Sequence, residues 1–472
     1  MKPDVVVLGA GPAGLGAAYR LTSLGLARVT VLEQQARVGG NSGSFEFEGV
    51  HADYGSHRLH PACDPAVLDD LRRLLGGDLL LRPRHGRIHL RGRWVHFPLR
   101  PANLAANLPP AFVWCAALDA ARRPFARTAA GVESFASMLE SAVGRTLCEW
   151  FYFPYARKLW GVDPDSLSAA QARRRIRARS PGALLRKVLH GIPGFTPHGA
   201  GSFYYPRQGW GQICERFATA VQTAGGQVLL GARASAVEHD GKRIKSVRCE
   251  CNGAERTIET EHVWSTLPLN ALIECIRPAA PQAVVHAARA IRFRGLILVY
   301  LAIEEDCFSE YDAHYFPDAG IPMVRLSEPK NYSGTLEPRG VTVLCAEVPS
   351  DPGSAEWQAG DKELGSAVCE WLAAVGLPVR ARVRSVTTRR LPYAYPVWLK
   401  GYEAHRAEME NWIDTLGGLL TFGRQGLFAH DNLHHALYMA YSAAACLKEG
   451  GGFDREKWAG FREIFDRHVV ED

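Results

Sequence analysis

The chain has 472 residues, 47% of them hydrophobic and 22% charged, with a net charge of +6. Length predicts two or three domains, and the composition is that of a soluble globular protein. The 46 glycines and 28 prolines are spread along the chain, which excludes a low-complexity tail.

The mild positive balance is weak evidence for an anionic partner. No aromatic-basic module accompanies it, which argues against nucleic acid. No run reaches the ~20 apolar residues of a membrane-spanning helix. The eleven cysteines include no C-x-x-C pair, and Cys249 and Cys251 are not at a zinc spacing. An odd count reads as reduced thiols. A first strand at Asp4 leaves no room for a signal peptide, so a cytoplasmic protein is expected.

In chain order, Asp4-Val5-Val6-Val7-Leu8 is a continuous apolar run, as in a parallel strand buried on both faces. It leads into Gly9-Ala10-Gly11-Pro12-Ala13-Gly14, then a helix over Leu15 to Leu24, then a strand Val29 to Leu32 ending in Glu33. Gly9 permits a tight turn, Gly11 lets the backbone approach a pyrophosphate, and Gly14 lets helix and strand pack closely. The helix start presents unpaired N–H groups to phosphates. Glu33 follows Gly14 by nineteen residues, where an acid meets ribose hydroxyls. The unit predicts a dinucleotide site.

Residues 101–195 read as mainly helical, with patterns over Glu133 to Val143 and Thr146 to Trp160. Ala111 to Ala117 predicts a buried helix, with a lid or shallow membrane contact as the alternative. Arg173, Arg174, Arg175, Arg177 and Arg179 form a basic cluster. It reads as a solvated surface or a phosphate cradle, and less as a contact with anionic lipid. Gln212 to Ala224 predicts a helix, and Gln227 to Leu230, Ala234 to Glu238 and Glu259 to Thr266 predict strands. Between 285 and 400, Ile291 to Ile303 and Val341 to Val348 predict strands, and Ser366 to Val375 a helix. A strand at Leu419 to Thr421 runs into Gly423-Arg424, and an apolar helix follows over Leu437 to Leu447. His430, His434 and His435 cluster here, but adjacent His434 and His435 share no helix face, so no metal site is expected.

Arg37-Val38-Gly39-Gly40-Asn41-Ser42-Gly43-Ser44 resembles the R-x-G-G-x-x-S/T extension of the flavin amine oxidase and protoporphyrinogen oxidase superfamily. Asn41 stands where many members have arginine. The Leu419 to Gly426 segment resembles the closing FAD motif of the same superfamily. The resemblance implies FAD as cofactor, held by Gly9, Gly11, Pro12, Ala13, Gly14, Glu33, Gln34, Gly39, Gly40, Asn41, Ser42, Gly55, Ser56, His57, Val237, Gly423, Arg424, Asn432 and Leu433. It also implies an α/β fold. A discontinuous Rossmann-like FAD-binding domain of the glutathione-reductase type (1–75, 200–275 and 405–450) would carry an inserted α+β substrate domain (76–199 and 276–404). That domain would contain a helical subdomain at about 101–195, and 451–472 would form a C-terminal helix.

Further segments resemble the UDP-galactopyranose mutase branch and its protoporphyrinogen-oxidase-like relatives. They are Asp53-Tyr54-Gly55-Ser56-His57-Arg58-Leu59-His60, Arg93 to Leu99, Phe153 to Gly161, Val324 to Tyr332, and Tyr393 to Val397. This implies His57 at the flavin face, and as clamps on a substrate diphosphate Arg325 and one arginine of the 173–177 cluster, Arg174 by preference. Tyr155, Trp160 and Tyr395 would line the pocket, and His430 would touch substrate. Where the mutases carry Tyr-Tyr-Asp-x-Asp, this chain has His430-Asp431-Asn432-Leu433-His434-His435, which argues against galactopyranose mutase activity itself.

Three readings follow. The first is an FAD-dependent oxidoreductase taking hydride from a nucleotide- or lipid-linked sugar or related intermediate, with His57 or His430 as base. The second is a redox-neutral mutase, in which reduced FAD acts as nucleophile and Arg325 as a phosphate clamp. The third is a non-catalytic escort for prenylated proteins. An anionic small-molecule substrate is the expected partner, and the sequence carries no signal for oligomeric state.

Overall fold

The computed structural model describes residues 2–61, 63–99, 101–122, 134–174 and 201–470. The apolar run Asp4–Leu8 is the central strand of a five-stranded sheet. It pairs in parallel with Arg28–Glu33 on one side and His262–Ser265 on the other. Gln227–Leu230 and Leu419–Thr421 complete the two edges, also in parallel. Strands from distant parts of the chain thus build one sheet, and helices cover it. Pro12–Ser23 packs on Leu433–Ala444 so closely that a Cβ on Gly16 would lie 2.7 Å from Leu437 Cδ2. This is the discontinuous Rossmann-like unit of an α/β fold.

The inserted α+β unit centres on a seven-stranded sheet. Its long strands Arg292–Ile303, Thr342–Ser350 and Val383–Val397 are antiparallel neighbours. Gly86–Leu90 and Arg93–Phe97 form its far edge, reached through Arg325–Ser327 and Ala313–Tyr315. Asp361–Ala374 covers one face, and the helices Phe135–Val143 and Phe153–Trp160 pack together nearby with Val324 and Val397. A four-stranded sheet containing Ala232–His239 packs beneath the Rossmann strands through Val6, Leu8 and Leu32. The eleven cysteines are free thiols, and among the described residues no helix is long and apolar enough to cross a membrane.

Several elements depart from expectation. The run at Ala111–Ala117 is not a buried helix. It belongs to the exposed helix Pro110–Arg122, where Trp114 is 68% and Val113 is 47% exposed. Phe112 is buried in the core against Trp150, with Ala116 one turn on partly buried against the same cluster, because one helix has one inward face. The helix expected over Thr146–Trp160 is broken into Arg145–Leu147, a wide π turn at Cys148–Tyr152, and Phe153–Trp160. Pro154 has no N–H for the preceding turn, so the ladder is interrupted there. The last apolar helix begins at Leu433, four residues before its predicted start. Arg175, Arg177 and Arg179 lie outside the described residues.

Candidate functional site

The turn after Asp4–Leu8 has the geometry of a phosphate cradle. Gly9 sits at φ +99°, a conformation that side chains disfavour. A Cβ on Gly14 would overlap the carbonyl oxygen of Gly9, so glycine there is what brings helix and turn together. On Gly11 a Cβ would meet only Gly39 O, at 4.0 Å, which leaves that side open to a ligand. Pro12 and Ala13 open the helix, and no side chain caps its N–H groups. Glu33 is buried, accepting from Ala10 N at 2.9 Å and Gln35 N at 2.9 Å, with one further lone pair on each oxygen. Gln34 beside it is exposed.

Two distant motifs converge on this turn. Gly39 N donates to Ala10 O at 2.8 Å, which seats Gly39, Gly40, Asn41 and Ser42 next to the cradle. A Cβ on Gly423 would lie 2.7 Å from Ala13 Cβ, so the C-terminal motif abuts the same helix start. Open backbone at a helix N-terminus, with a carboxylate alongside, fits the pyrophosphate and ribose of a dinucleotide. Val237 lies on the four-stranded sheet, between ladder partners Val247 and Ile276, in the core it shares with Val6, Leu8 and Leu32.

The loop carrying Gly55, Ser56 and His57 joins the two units. Gly55 has φ +94°. Ser56 N donates to Glu347 Oε1 at 2.8 Å. The His57 ring stacks on Trp210 at 5.5 Å. Its Nε2 faces Tyr54 O at 3.0 Å and Asn41 O at 3.1 Å, so that nitrogen carries the hydrogen in the neutral ring. Burial first, and then Arg325 and Arg424, push its pKa down to about 4. Asn41 Nδ2 and Gln425 Nε2 both donate to Tyr393 O, which brings the Tyr393–Tyr395 stretch alongside.

Arg325 is held, not free. Its Nε and Nη2 donate to Glu347 at 2.9 and 2.8 Å, a bidentate pair between directly opposed strand residues. Glu347 is 1% exposed. Arg58 likewise pairs with Asp312 at 3.1 Å. Arg174 is 6% exposed, with Nη1 2.8 Å from Asp431 Oδ1 and its guanidinium 5.2 Å from the Trp398 ring. His430 sits between Trp160 and Trp398, at ring distances of 6.0 and 5.3 Å. Trp160 is fully buried, and Tyr155, on the same helix, stacks on Phe151 at 5.9 Å. Asn432 N donates to His435 Nδ1 at 3.2 Å, at the start of the helix led by Leu433.

Two neighbourhoods result. One holds His57, Arg325, Glu347 and Tyr395; the other holds Arg174, His430, Trp160 and Asp431. Arg424 bridges them, donating to Asp431 O at 3.1 Å and Ala394 O at 2.9 Å, with Tyr395 beneath it at 5.5 Å. Asp431, His435 and His468 each bring one ligand atom within 4.8 Å of the others. Arg174 already supplies a cation to that carboxylate. Sequence reasoning passed over Glu347, Trp398 and His468. A lone acid in the apolar run Thr342–Ser350 was a usable signal for Glu347. His468 had none, since only the fold brings the tail to Asp431.

The cradle, the second glycine motif and the C-terminal motif define an FAD-binding protein. A family model described as flavin containing amine oxidoreductase matches residues 12–441; the chain belongs to that family, whose members are FAD-dependent oxidoreductases. It is similar to protoporphyrinogen oxidase 2, chloroplastic/mitochondrial, of Arabidopsis thaliana. The two are 30% identical over 178 residues, which cover 35% of this chain and 34% of that one. The chain spans a third to a half of the length of the curated relatives it matches. A crystal structure of reduced UDP-galactopyranose mutase superposes with a TM-score of 0.77 and 20% identity, covering 94% of this chain and 93% of that one. Cyclohexylamine oxidase from Brevibacterium oxydans gives 0.65 and 17%, covering 94% and 98%. These likenesses establish the fold.

Proposed function

We propose that the protein oxidises a small organic substrate by removing a hydride and a proton beside the His57 loop. FAD, when bound, supplies the two-electron acceptor. The observation that carries the reading is the His57 imidazole, stacked on Trp210 and held with its Nε2 hydrogen on two carbonyl oxygens. A pKa near 4 keeps it neutral at pH 7 and makes it a weak base; with the hydrogen on Nε2, Nδ1 is the lone pair left to accept a proton as the hydride departs. Trp210, the Tyr54 carbonyl and the Asn41 carbonyl fix the ring. His430, enclosed by two indoles, is the second candidate base. The same reading keeps 1–75, 200–275 and 405–450 as the cofactor-binding unit, 76–199 and 276–404 as the substrate unit, and a cytoplasmic location.

The diphosphate-bearing substrate implied by the resemblance sets a condition. Arg325 and Arg174 would have to hold it with the N–H groups that Glu347 and Asp431 leave open, beside a buried carboxylate that repels it. The paired state suits a substrate without a diphosphate. Titration of the oxidised holoenzyme with UDP separates the two. No binding at millimolar UDP supports the uncharged class, whereas saturable binding abolished by Arg325→Met restores the nucleotide-linked one. Oxidation itself is tested by anaerobic mixing with candidate substrates. Flavin bleaching in wild type, slowed in His57→Ala at equal flavin content, is the expected result. Product formed only with pre-reduced flavin, without net electron consumption, would overturn it in favour of a mutase.

A further inference from the structure

The far edge of the seven-stranded sheet carries an arginine with a different environment from those at the cleft. In the strand Gly86–Leu90, Arg87 lies opposite His96 on one neighbour and His314 on the other. Strand residues alternate between faces. Ile88 and its partner Tyr315 therefore take the face shared with Arg325, and Arg87 and His314 take the opposite one. Arg87 thus lies on the face opposite Arg325, while Asp312 ties the edge to Arg58 of the His57 loop through Arg58 Nη2 and His85 N.

The Arg87 guanidinium lies 4.1 Å from the Trp94 ring centroid and 4.5 Å from that of Tyr311. Two aromatic faces thus hold its plane. Arg87 Nε is buried without a hydrogen-bond partner among the described residues. In contrast to Arg58, Arg174 and Arg325, it has no carboxylate at ion-pair distance among them. Burial pulls its pKa below the usual arginine value, with Tyr311 and the more distant Glu310 carboxylate opposing it only in part, and a bound anion would offset the remaining cost. His314 lies beside it, 5.7 Å from Trp94 and 5.6 Å from Tyr311. It is 2% exposed, and its Nε2 is likewise without a hydrogen-bond partner among the described residues. His85 packs at a tilt against Tyr311, 4.6 Å away. Here two such donors, Arg87 Nε and His314 Nε2, lie on one face of the sheet between the same two rings, where an acceptor from a ligand would satisfy them.

We propose that Arg87 and His314, walled by Trp94 and Tyr311, form a binding site for a small oxyanion, a carboxylate or phosphate group, outside the flavin cleft. The guanidinium edge offers a two-pronged donor, and neutral His314 offers one N–H. Its pKa, pushed down to about 3 by burial and by Arg87, keeps it from adding a second charge.

The test is calorimetric titration of the FAD-loaded protein with sodium phosphate and, separately, sodium acetate, with chloride keeping ionic strength constant. Saturable binding is expected for at least one of them. In Arg87→Met, which keeps the stem between the two rings, affinity should fall about ten- to hundredfold with the flavin spectrum unchanged. The arm that saturates identifies phosphate or carboxylate as the source. A response no larger than that of chloride, or equal affinity in Arg87→Met, overturns the proposal. Should that variant not fold, phenylglyoxal modification of the wild-type protein decides. Slower modification of the Arg87 peptide in the saturating anion supports the site, and an unchanged rate refutes it.

Discussion

Asp53 shows how one side chain organises the cofactor region. It is buried and accepts from Ser44 Oγ at 2.6 Å, Tyr205 OH at 2.6 Å and Trp210 N at 2.8 Å. Its own carbonyl accepts from Tyr300 of the inserted sheet at 2.6 Å. Burial outweighs those donors and raises its pKa to about 6. Between the unfolded value near 4 and this one, the folded state holds more protons than the unfolded state. This group therefore lowers stability as pH rises through that window, by roughly 2–3 kcal/mol at most. Urea midpoints of wild type and Asp53→Asn from pH 4 to pH 7 should show a weaker pH slope in the variant; parallel profiles would sink the assignment. Gly14 offers a steric counterpart. Even one methyl group there would overlap Gly9 O, so Gly14→Ala should lose most of its bound flavin, read from yellow absorbance per chain. Full flavin content would show that the helix can shift.

Among elements, strand pairing decides what the charged residues do. Arg325 and Glu347 face each other across neighbouring strands, and Glu347 also holds the Ser56 amide. Removing one partner leaves a buried charge alone, at a cost of about 3–5 kcal/mol. Glu347→Gln should lower the denaturation midpoint accordingly, and Arg325→Met combined with Glu347→Leu should recover much of the loss. A single variant as stable as wild type would mean that the arginine finds water. The exposed helix Pro110–Arg122 gives the opposite contrast. Trp114→Ser should leave thermal stability within about 0.5 kcal/mol, whereas Phe112→Ala, which empties a core position, should cost about 3 kcal/mol.

At the scale of the whole molecule, the cofactor region has no continuous stretch of chain to rely on. Its cradle needs the first turn, the Gly39–Ser42 segment and Gly423, which meet only in the finished fold. FAD should therefore stabilise the entire protein rather than one segment. Adding it at a hundredfold excess over its dissociation constant should contribute about 2.7 kcal/mol, seen as a rise in the thermal midpoint. A midpoint independent of added FAD in flavin-stripped protein would contradict that coupling.

The amino-acid sequence by itself determined the local chemistry of the first sixty residues. The strand Asp4–Leu8, the glycine turn and the helix behind it follow from apolar runs and from backbone conformations that only glycine tolerates, and such short-range rules are written residue by residue. The long strands of the inserted sheet were legible for the same reason: nine consecutive buried residues in Thr342–Ser350 leave a plain apolar signal. The π turn before Pro154 and the exposed face of Pro110–Arg122 were not, because each depends on which neighbour packs against it. Tertiary structure alone decided how the charges of the site are paired. It set Glu347 on Arg325 and Asp431 on Arg174, and it left Arg87 between two rings. Ion pairing is a property of distance and burial, and neither is encoded in the spacing of residues along a chain.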